Sequence, residues 1–369
     1  MASITSHHSP GLWALAWRRL RADRVAMVAL IIVVAYLVTL VLSATGLVAA
    51  DWADEVGVNY APPSFIGAQS VTERGATPAV ASNEIPPENP RDPLKDILRE
   101  LRAPAAAAEV TVNDYGIADP IGKELAEVRA DLAKTGTKAA VVRKQTLPFG
   151  GDKWGHDIVK KTIKGAETSI VVGLVAAALA TFLGTIFGAV SGYFGGKTDD
   201  LFNWFYSIFT SVPYLLLVLA VAAVLQQKGV LTIVLILGLT GWTGTYRLIR
   251  AEYLKHKTRE YVWAADAIGA SHLRRIFVHI FPNVSHVALV QVSILVVGFI
   301  KSEVILSFLG FGVPVGTVSW GSMLNEAQNE LILGKWWQLV AASAAMAILV
   351  TAFSLFTDAL RDALDPKLK

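Results

Sequence analysis

The apolar residues of this chain run in long unbroken blocks, and not in the alternating or every-third-and-fourth patterns that build a water-soluble core. Crossing a hydrocarbon layer about 30 Å thick takes roughly 20 mostly apolar residues in a helix. Six blocks meet that requirement: Val25 to Ala49, Thr168 to Tyr193, Leu201 to Gln226, Val230 to Ile249, Val284 to Ile300 and Trp337 to Thr357. The fifth is the shortest, and the pattern continues it through Leu306. The predicted fold class is an all-α integral membrane protein with six transmembrane helices.

Basic residues set the expected orientation. Arg18, Arg19, Arg21 and Arg24 precede the first block and place the N-terminus in the cytoplasm under the positive-inside rule. Val48-Ala49-Ala50 resembles a signal-cleavage site, but signal cores run about 7–15 apolar residues, and this block is longer. It is therefore expected to remain as an anchor. Six spans put both termini on the cytoplasmic side, together with Gly195 to Asp200, Arg250 to Pro282 and the tail after Asp358. The middle segment carries Arg250, Lys255, Lys257, Arg259, Arg274 and Arg275, and the tail carries Arg361, Lys367 and Lys369, in agreement with that topology.

The predicted organisation is a cytoplasmic segment over 1–24, an anchor helix over 25–49, an extracytoplasmic insert over 50–165, a five-helix core over 166–360 with a loop at 250–282, and a tail over 361–369. The insert holds 17 acidic and 15 basic residues, a balance of −2. Pro62, Pro63, Pro78, Pro86, Pro87, Pro90 and Pro93 predict irregular chain in its first half. Asp92 to Leu101 has Leu94, Ile97, Leu98 and Leu101 at helical spacing, and Lys123 to Lys134 has a weaker stripe. The insert reads as a decoration packed on the bundle, or as a docking surface for an external partner.

Composition narrows the function classes. Of 369 residues, 53% are hydrophobic and 17% charged, against about 25% charged in soluble domains. A net charge of +3 gives no case for nucleic acid. The absence of cysteine removes disulfides, thiolate catalysis and sulfur-ligated metal. Gly195-Gly196-Lys197-Thr198 ends like a nucleotide-binding phosphate loop, but Ser191 stands where that loop needs glycine, and a membrane helix precedes it instead of a strand. It reads as a helix-ending turn in which glycines take positive φ.

The loop Glu260-Tyr-Val-Trp-Ala-Ala-Asp-Ala-Ile-Gly-Ala-Ser-His-Leu-Arg-Arg-Ile-Phe-Val-His-Ile-Phe-Pro282 contains two amphipathic helical pieces flanking Gly269. Small side chains at Ala264, Ala265 and Gly269 let another protein approach closely. Its spacing, Ala264-Ala265-x3-Gly269-x9-His279-x-Phe281-Pro282, resembles the EAA loop of bacterial ABC importer permeases. The flanks are similar to the C subunits of oligopeptide and dipeptide permeases. They are Pro148-Phe-Gly-Gly-Asp152-x2-Gly155-His-Asp157, Gly188-x3-Gly192-Tyr-Phe-Gly-Gly196, Ser307-Phe-Leu-Gly-Phe-Gly312, Ser319-Trp-Gly321 and Asp358-Ala-Leu-Arg-Asp-Ala-Leu-Asp-Pro366. The resemblance covers the anchor and everything from about residue 147 onward. It leaves out most of 50–146. Three positions depart from the pattern: Trp263 replaces the glutamate that names the motif, Gly151 a threonine and His156 an arginine.

The resemblance implies a type I ABC importer permease fold in a bacterial inner membrane. It implies a second permease subunit, two ATP-binding subunits, a substrate-binding protein outside and the lipid bilayer as partners, with no cofactor in this chain and ATP and Mg on the partner subunits. In the family the loop is a coupling helix that docks in a cleft of the ATPase, which makes Glu260, Tyr261, Trp263, Ala264, Ala265, Asp266, Gly269, Ala270 and Ser271 the expected coupling residues. The cargo expected is oligopeptides or dipeptides, and no catalysis occurs in the subunit itself.

A secondary transporter or channel driven by an ion gradient predicts internal repeats, broken helices and paired midplane charges. A membrane hydrolase needs a nucleophile and base on facing helices. His256, His272, His279 and His286 lack metal-ligand spacing with carboxylates. Lys301 and Glu303 lie near a membrane boundary, where lysine snorkels, and Glu303 is the candidate pathway residue. Trp336 and Trp337 read as an interfacial anchor.

Overall fold

The computed structural model describes residues 12–67, 143–314 and 316–364. The expected helices at Asp92 to Leu101 and Lys123 to Lys134, the prolines from Pro78 to Pro93, and Lys367 and Lys369 lie outside the described residues.

The described residues are helical apart from connecting segments and three isolated bridges. In chain order the helices are α1 (Leu12–Ala22), α2 (Arg24–Ala44), α3 (Ile158–Phe194), α4 (Gly196–Thr210), α5 (Tyr214–Leu225), α6 (Val230–Thr240), α7 (Thr243–Lys257), α8 (Glu260–Ala267), α9 (Phe281–Phe308), α10 (Trp320–Ile332) and α11 (Trp337–Leu364). A turn His272–Arg274 and a π-helical stretch Arg275–Ile280 lead into α9. Among the described residues five helices are long and apolar enough to cross a membrane: α2, α3, α6 with α7, the run His272–Phe308, and α11. The α4–α5 pair makes a sixth if it counts as one span.

That pair departs from the straight helix expected over Leu201 to Gln226: it bends by 82° at a break between Thr210 and Tyr214. Pro213 explains the break, since it has no N–H to donate and drives the preceding residue out of helical conformation. The first span ends at Ala44 and not at Ala49, capped by Thr45. The second begins at Ile158, well before Thr168, because Asp157 caps it by accepting from Val159 N at 2.8 Å. Its first turns carry Lys160, Lys161, Lys164 and Glu167, which hid them from a hydropathy reading. Helices α1 and α10 were also unforeseen; the latter is only 13 residues long and holds Asn325, Glu326, Gln328, Asn329 and Glu330.

Helix α3 is the axis of the bundle. At 37 residues it extends roughly 55 Å by the α-helical rise, well beyond the hydrocarbon core. Gly184, Gly188 and Gly192 form a stripe against α7, where an added Cβ would come within 2.7 Å of Trp242 O, 2.7 Å of Tyr246 O and 2.6 Å of Arg250 O. Small residues at a four-residue spacing let two membrane helices meet backbone to backbone, because lipid supplies no hydrophobic force to pull them together.

The two ends of α3 gather different elements. Near its start, Thr162 O accepts from Trp320 Nε1 at 3.1 Å, so α10 lies there with the 143–157 segment and the start of α11. Near its end, Tyr193 meets His272, so α8, the end of α7 and the approach to α9 lie there.

Candidate functional site

The predicted loop folds at the Tyr193 end of α3. After α7 the chain turns at Thr258, and α8 runs for 8 residues from Glu260. It ends in a two-bond Schellman cap: Gly269 N donates to Asp266 O at 2.8 Å and Ala270 N to Ala265 O at 3.0 Å. The cap needs a left-handed residue, and Gly269 supplies it at φ +81°. Ser271 then accepts from Arg274 N at 3.4 Å and starts the next turn.

Helical periodicity divides the expected coupling residues between two faces. Val262 and Ala265, three apart, are both buried, and Val262 joins a core with Tyr193, Tyr253, Ile276 and Ile280. Ala265 is 4% exposed, so its small side chain serves packing within this chain, contrary to the close-approach role expected for it. The outward side carries Glu260, Trp263, Ala264, Asp266 and Gly269, with Ala270 partly covered and Ser271 exposed. Trp263 is 63% exposed and Ile268, which the sequence reading passed over, is 82% exposed. Tyr261 reaches back to His256 at 2.8 Å, and burial holds its phenol above the ordinary tyrosine value.

The orientation of α8 is pinned by side chains that the motif spacing does not include. Arg275 pairs with Asp266 at 2.5 Å, and its guanidinium lies 5.8 Å from the Tyr193 ring centroid. Tyr193 Oη stands 3.1 Å and Arg275 Nη2 3.0 Å from His272 Nδ1. Arginine only donates, so Nδ1 carries the lone pair and the proton of a neutral His272 sits on Nε2. Tyr253 donates to Ile276 O at 3.1 Å, tying α7 to the π-helical stretch. Between α8 and α3 lies a cleft of about 280 Å³ lined by Tyr193, Phe194, Lys257, Trp263, His272 and Arg275.

Above this site, Arg250 makes a two-point contact with Asp199, Nε to Oδ1 at 2.6 Å and Nη2 to Oδ2 at 2.5 Å. Ser191 of α3 donates to the same carboxylate. One aspartate thus links α3, α4 and α7. Gly195 and Gly196 turn the chain into α4 at φ +67° and +51°, as the helix-ending reading of that glycine pair expects.

Glu303 sits elsewhere. It is fully buried, accepting from Ser169 at 2.6 Å and from Ser307 at 2.7 Å, while Trp320 N donates to Ser169 Oγ at 3.3 Å. It is thus enclosed within this chain, whereas Lys301 is exposed. Trp337 is not a lipid-facing anchor: it is 3% exposed and donates its indole N–H to Gly151 O at 2.8 Å. Trp336 packs edge-on to Phe149. Among the described residues no three His, Cys, Asp or Glu side chains form a group able to hold a metal ion.

Comparison with known proteins agrees with the motif reading. Residues 184–369 match the family described as binding-protein-dependent transport system inner membrane component. Residues 11–63 match the N-terminal TM domain of oligopeptide transport permease C. The dipeptide transport system permease protein DppC of Bacillus subtilis (strain 168) is 37% identical over 221 residues, covering 60% of this chain and 69% of that protein. The oligopeptide transport system permease protein OppC of the same organism is 39% identical, covering 60% and 72%. The dipeptide permease DppC of Lactococcus lactis subsp. cremoris (strain MG1363) is 30% identical over 352 residues, covering 95% and 90%.

Proposed function

Because this chain belongs to the binding-protein-dependent transport system inner membrane components, as a C-type permease of the oligopeptide and dipeptide ABC importers, we propose that it forms one half of an ATP-driven import path for peptides, moved by ATPase subunits that grip α8. Both termini and α8 lie on the cytoplasmic side of the inner membrane, and the insert lies outside. A second permease subunit pairs with this one, two ATP-binding subunits carry ATP and Mg, and an external binding protein delivers the cargo.

The observation that carries this reading is the outward side of α8 and its cap, where Trp263 and Ile268 stand exposed on a short element tied down by the Asp266–Arg275 pair and by Val262 in a core shared with Tyr193 and Tyr253. Large apolar side chains exposed on a polar cytoplasmic loop fit a partner's cleft, and aromatic residues anchor such contacts well. Trp263 takes the place of the motif's glutamate by filling an apolar pocket instead of making an ion pair. Rigid α7 and α9 then carry the movement of α8 into the membrane as a switch between discrete packings. Helix α4 supports the second permease subunit: it has no buried residue and exposes Leu201, Trp204 and Ile208.

The bend between α4 and α5 is what an ion-driven transporter would need, but no charged residue occurs between Asp200 and Lys228. A midplane ion site therefore has no charge partner at that break.

Since the chain has no cysteine, single cysteines introduced at Ala264 and Asn325 report cleanly. The expected result is that Ala264→Cys cross-links to an ATPase subunit and reacts only with reagents applied from the cytoplasm, while Asn325→Cys does neither. Labelling of Ala264→Cys from outside, or an assembled complex in which it finds no neighbour, overturns the proposal.

A further inference from the structure

Lys161 and Tyr193 lie on the same helix, roughly 48 Å apart by the α-helical rise, and a buried charge cluster surrounds Lys161. Its ammonium, 3% exposed as a residue, bonds Asp152 Oδ2 at 2.6 Å and Glu326 Oε2 at 2.6 Å. Asp152 also accepts from the backbone N–H groups of Trp154 at 2.9 Å and His156 at 3.0 Å, and stands 2.9 Å from His156 Nδ1. Gln338 donates its amide to Met323 O at 3.0 Å and to Glu326 Oε2 at 3.1 Å. Both partners are acceptors, which fixes the amide orientation and leaves Gln338 Oε1 buried without a donor.

Glu330 lies one turn beyond Glu326 on the same face of α10. It is 1% exposed, and among the described residues no side chain donates a hydrogen bond to its carboxyl oxygens, the backbone N–H of Lys153 being the donor that faces them. The charged groups that face it are Lys161 of α3, Asp152 of the preceding segment and Glu326 of its own helix. Lys161 is already shared between two carboxylates. Lys335 offers only its backbone N–H, to Glu330 O at 2.9 Å, while its ammonium lies 5.3 Å from the Trp337 ring centroid. His156 reaches the cluster through Asp152.

An ionised Glu330 would be a third carboxylate beside one ammonium, buried and with no side-chain donor of its own, which is an expensive arrangement. Protonation removes that charge and gives the carboxyl an O–H of its own. We propose that Glu330 is a proton-binding site, and that gaining or losing this proton tightens or loosens α10 against α3 and α11. Burial first, and then the charges of Asp152 and Glu326, push the Glu330 carboxyl up to about 7 against the opposing pull of the Lys161 charge and the Lys153 backbone N–H. The site therefore titrates where external pH normally varies, and the proposal does not depend on ATPase docking or cargo.

Hydrogen exchange of the full chain in lipid nanodiscs, followed by mass from about pH 5.5 to about pH 8.5 and corrected for intrinsic rates, tests the proposal. Protection over residues 320–338 is expected to fall about tenfold as pH rises through neutrality, and Glu330→Gln is expected to hold the low-pH protection throughout. Infrared spectra of chain carrying isotope-labelled glutamate give a second readout that needs no stable neutral variant. A labelled protonated carboxyl is expected to titrate near neutral pH and to vanish from the labelled set in Glu330→Asp. An identical exchange profile in wild type and Glu330→Gln, or a labelled signal unchanged by Glu330→Asp, overturns the proposal.

Discussion

Trp337 and Gly150 are fitted to each other: a Cβ on Gly150 would stand 2.8 Å from the indole ring, and the indole N–H goes to the next carbonyl, Gly151 O. Gly150 is also at φ +93°. The contact fastens the segment before α3 to the first turn of α11. Trp337→Phe keeps most of the bulk but strands a buried carbonyl, a loss of about 1–3 kcal/mol. Gly150→Ala adds left-handed strain and a clash together. Thermal unfolding in detergent should show both variants melting lower than wild type, Gly150→Ala more so; an unshifted Trp337→Phe would mean that the bond contributes nothing.

Much of this arrangement was legible in the sequence, for reasons that can be named. Hydropathy located the spans because each presents an apolar surface to lipid, whereas Gly188 and Gly192 stood out only as motif residues, and the structure gives their reason in the close approach of α7. Asp152, Gly155 and Asp157 stood out as motif residues, and the structure gives their reasons: Asp152 gathers four contacts, Asp157 caps α3, and a Cβ on Gly155 would lie 2.1 Å from Gly57 O. What stayed hidden depends on distant partners. Glu303 looked like a boundary residue because Ser169, which bonds it, is 134 positions away. Helix α10 is too polar and too short to register as a span, and Trp337 is claimed by a loop far upstream. Within α8, the three-residue spacing of Val262 and Ala265 already implied an inward stripe, but reading the small residues as one surface obscured it.

Acid stability follows from Asp152. Burial alone would raise its carboxyl, but the charge and hydrogen bond of Lys161 and the His156 contacts outweigh that and hold it below the ordinary aspartate value. A depressed carboxyl contributes stability that is fully present above the unfolded value, about pH 4, and is lost as pH falls through the folded one. Asp152→Asn should therefore melt lower than wild type at neutral pH, with the gap narrowing only below about pH 4. A gap independent of pH would indicate that lost packing, and not charge, is responsible.

The link between Arg250 and Asp199 should resist conservative exchange. Lysine cannot reproduce two parallel N–H bonds to one carboxylate, so Arg250→Lys is expected to cost about 1–2 kcal/mol. A double-mutant cycle with Asp199→Asn should return a coupling energy of similar size. Near-additive losses would show that the pair does not hold α4 to α7.

Gly269 offers a way to separate backbone shape from surface bulk. No atom lies within 4 Å of the position a Cβ would occupy, so a side chain meets open space within the chain, and the cost at φ +81° is conformational. Asparagine tolerates the left-handed region far better than a branched or bulky residue. Gly269→Asn should thus keep ATPase co-purification near wild type while Gly269→Leu weakens it, with membrane insertion equal in both. Equal capture of ATPase by the leucine variant would remove the α8 cap from the coupling mechanism.

Trp263 gives the most direct test of whether an ATPase subunit grips α8, because stability and docking would make opposite demands on it. At 63% exposure the side chain contributes little to the isolated subunit, so Trp263→Ala should leave its thermal unfolding nearly unchanged. If the ring fills an ATPase pocket, the same truncation should cost at least about 2 kcal/mol of binding, roughly a thirtyfold loss. Trp263→Glu separates the remaining alternatives: restoring a carboxylate at that position helps only if the partner offers a cation there, whereas a dry apolar pocket would reject it more strongly than alanine. Affinities measured for the two variants against the ATPase subunit therefore identify the pocket by its chemistry. Val262→Asp provides the control on the opposite face, since a charge placed among Tyr193, Tyr253 and Ile276 should unseat α8 from its own bundle and lower stability first.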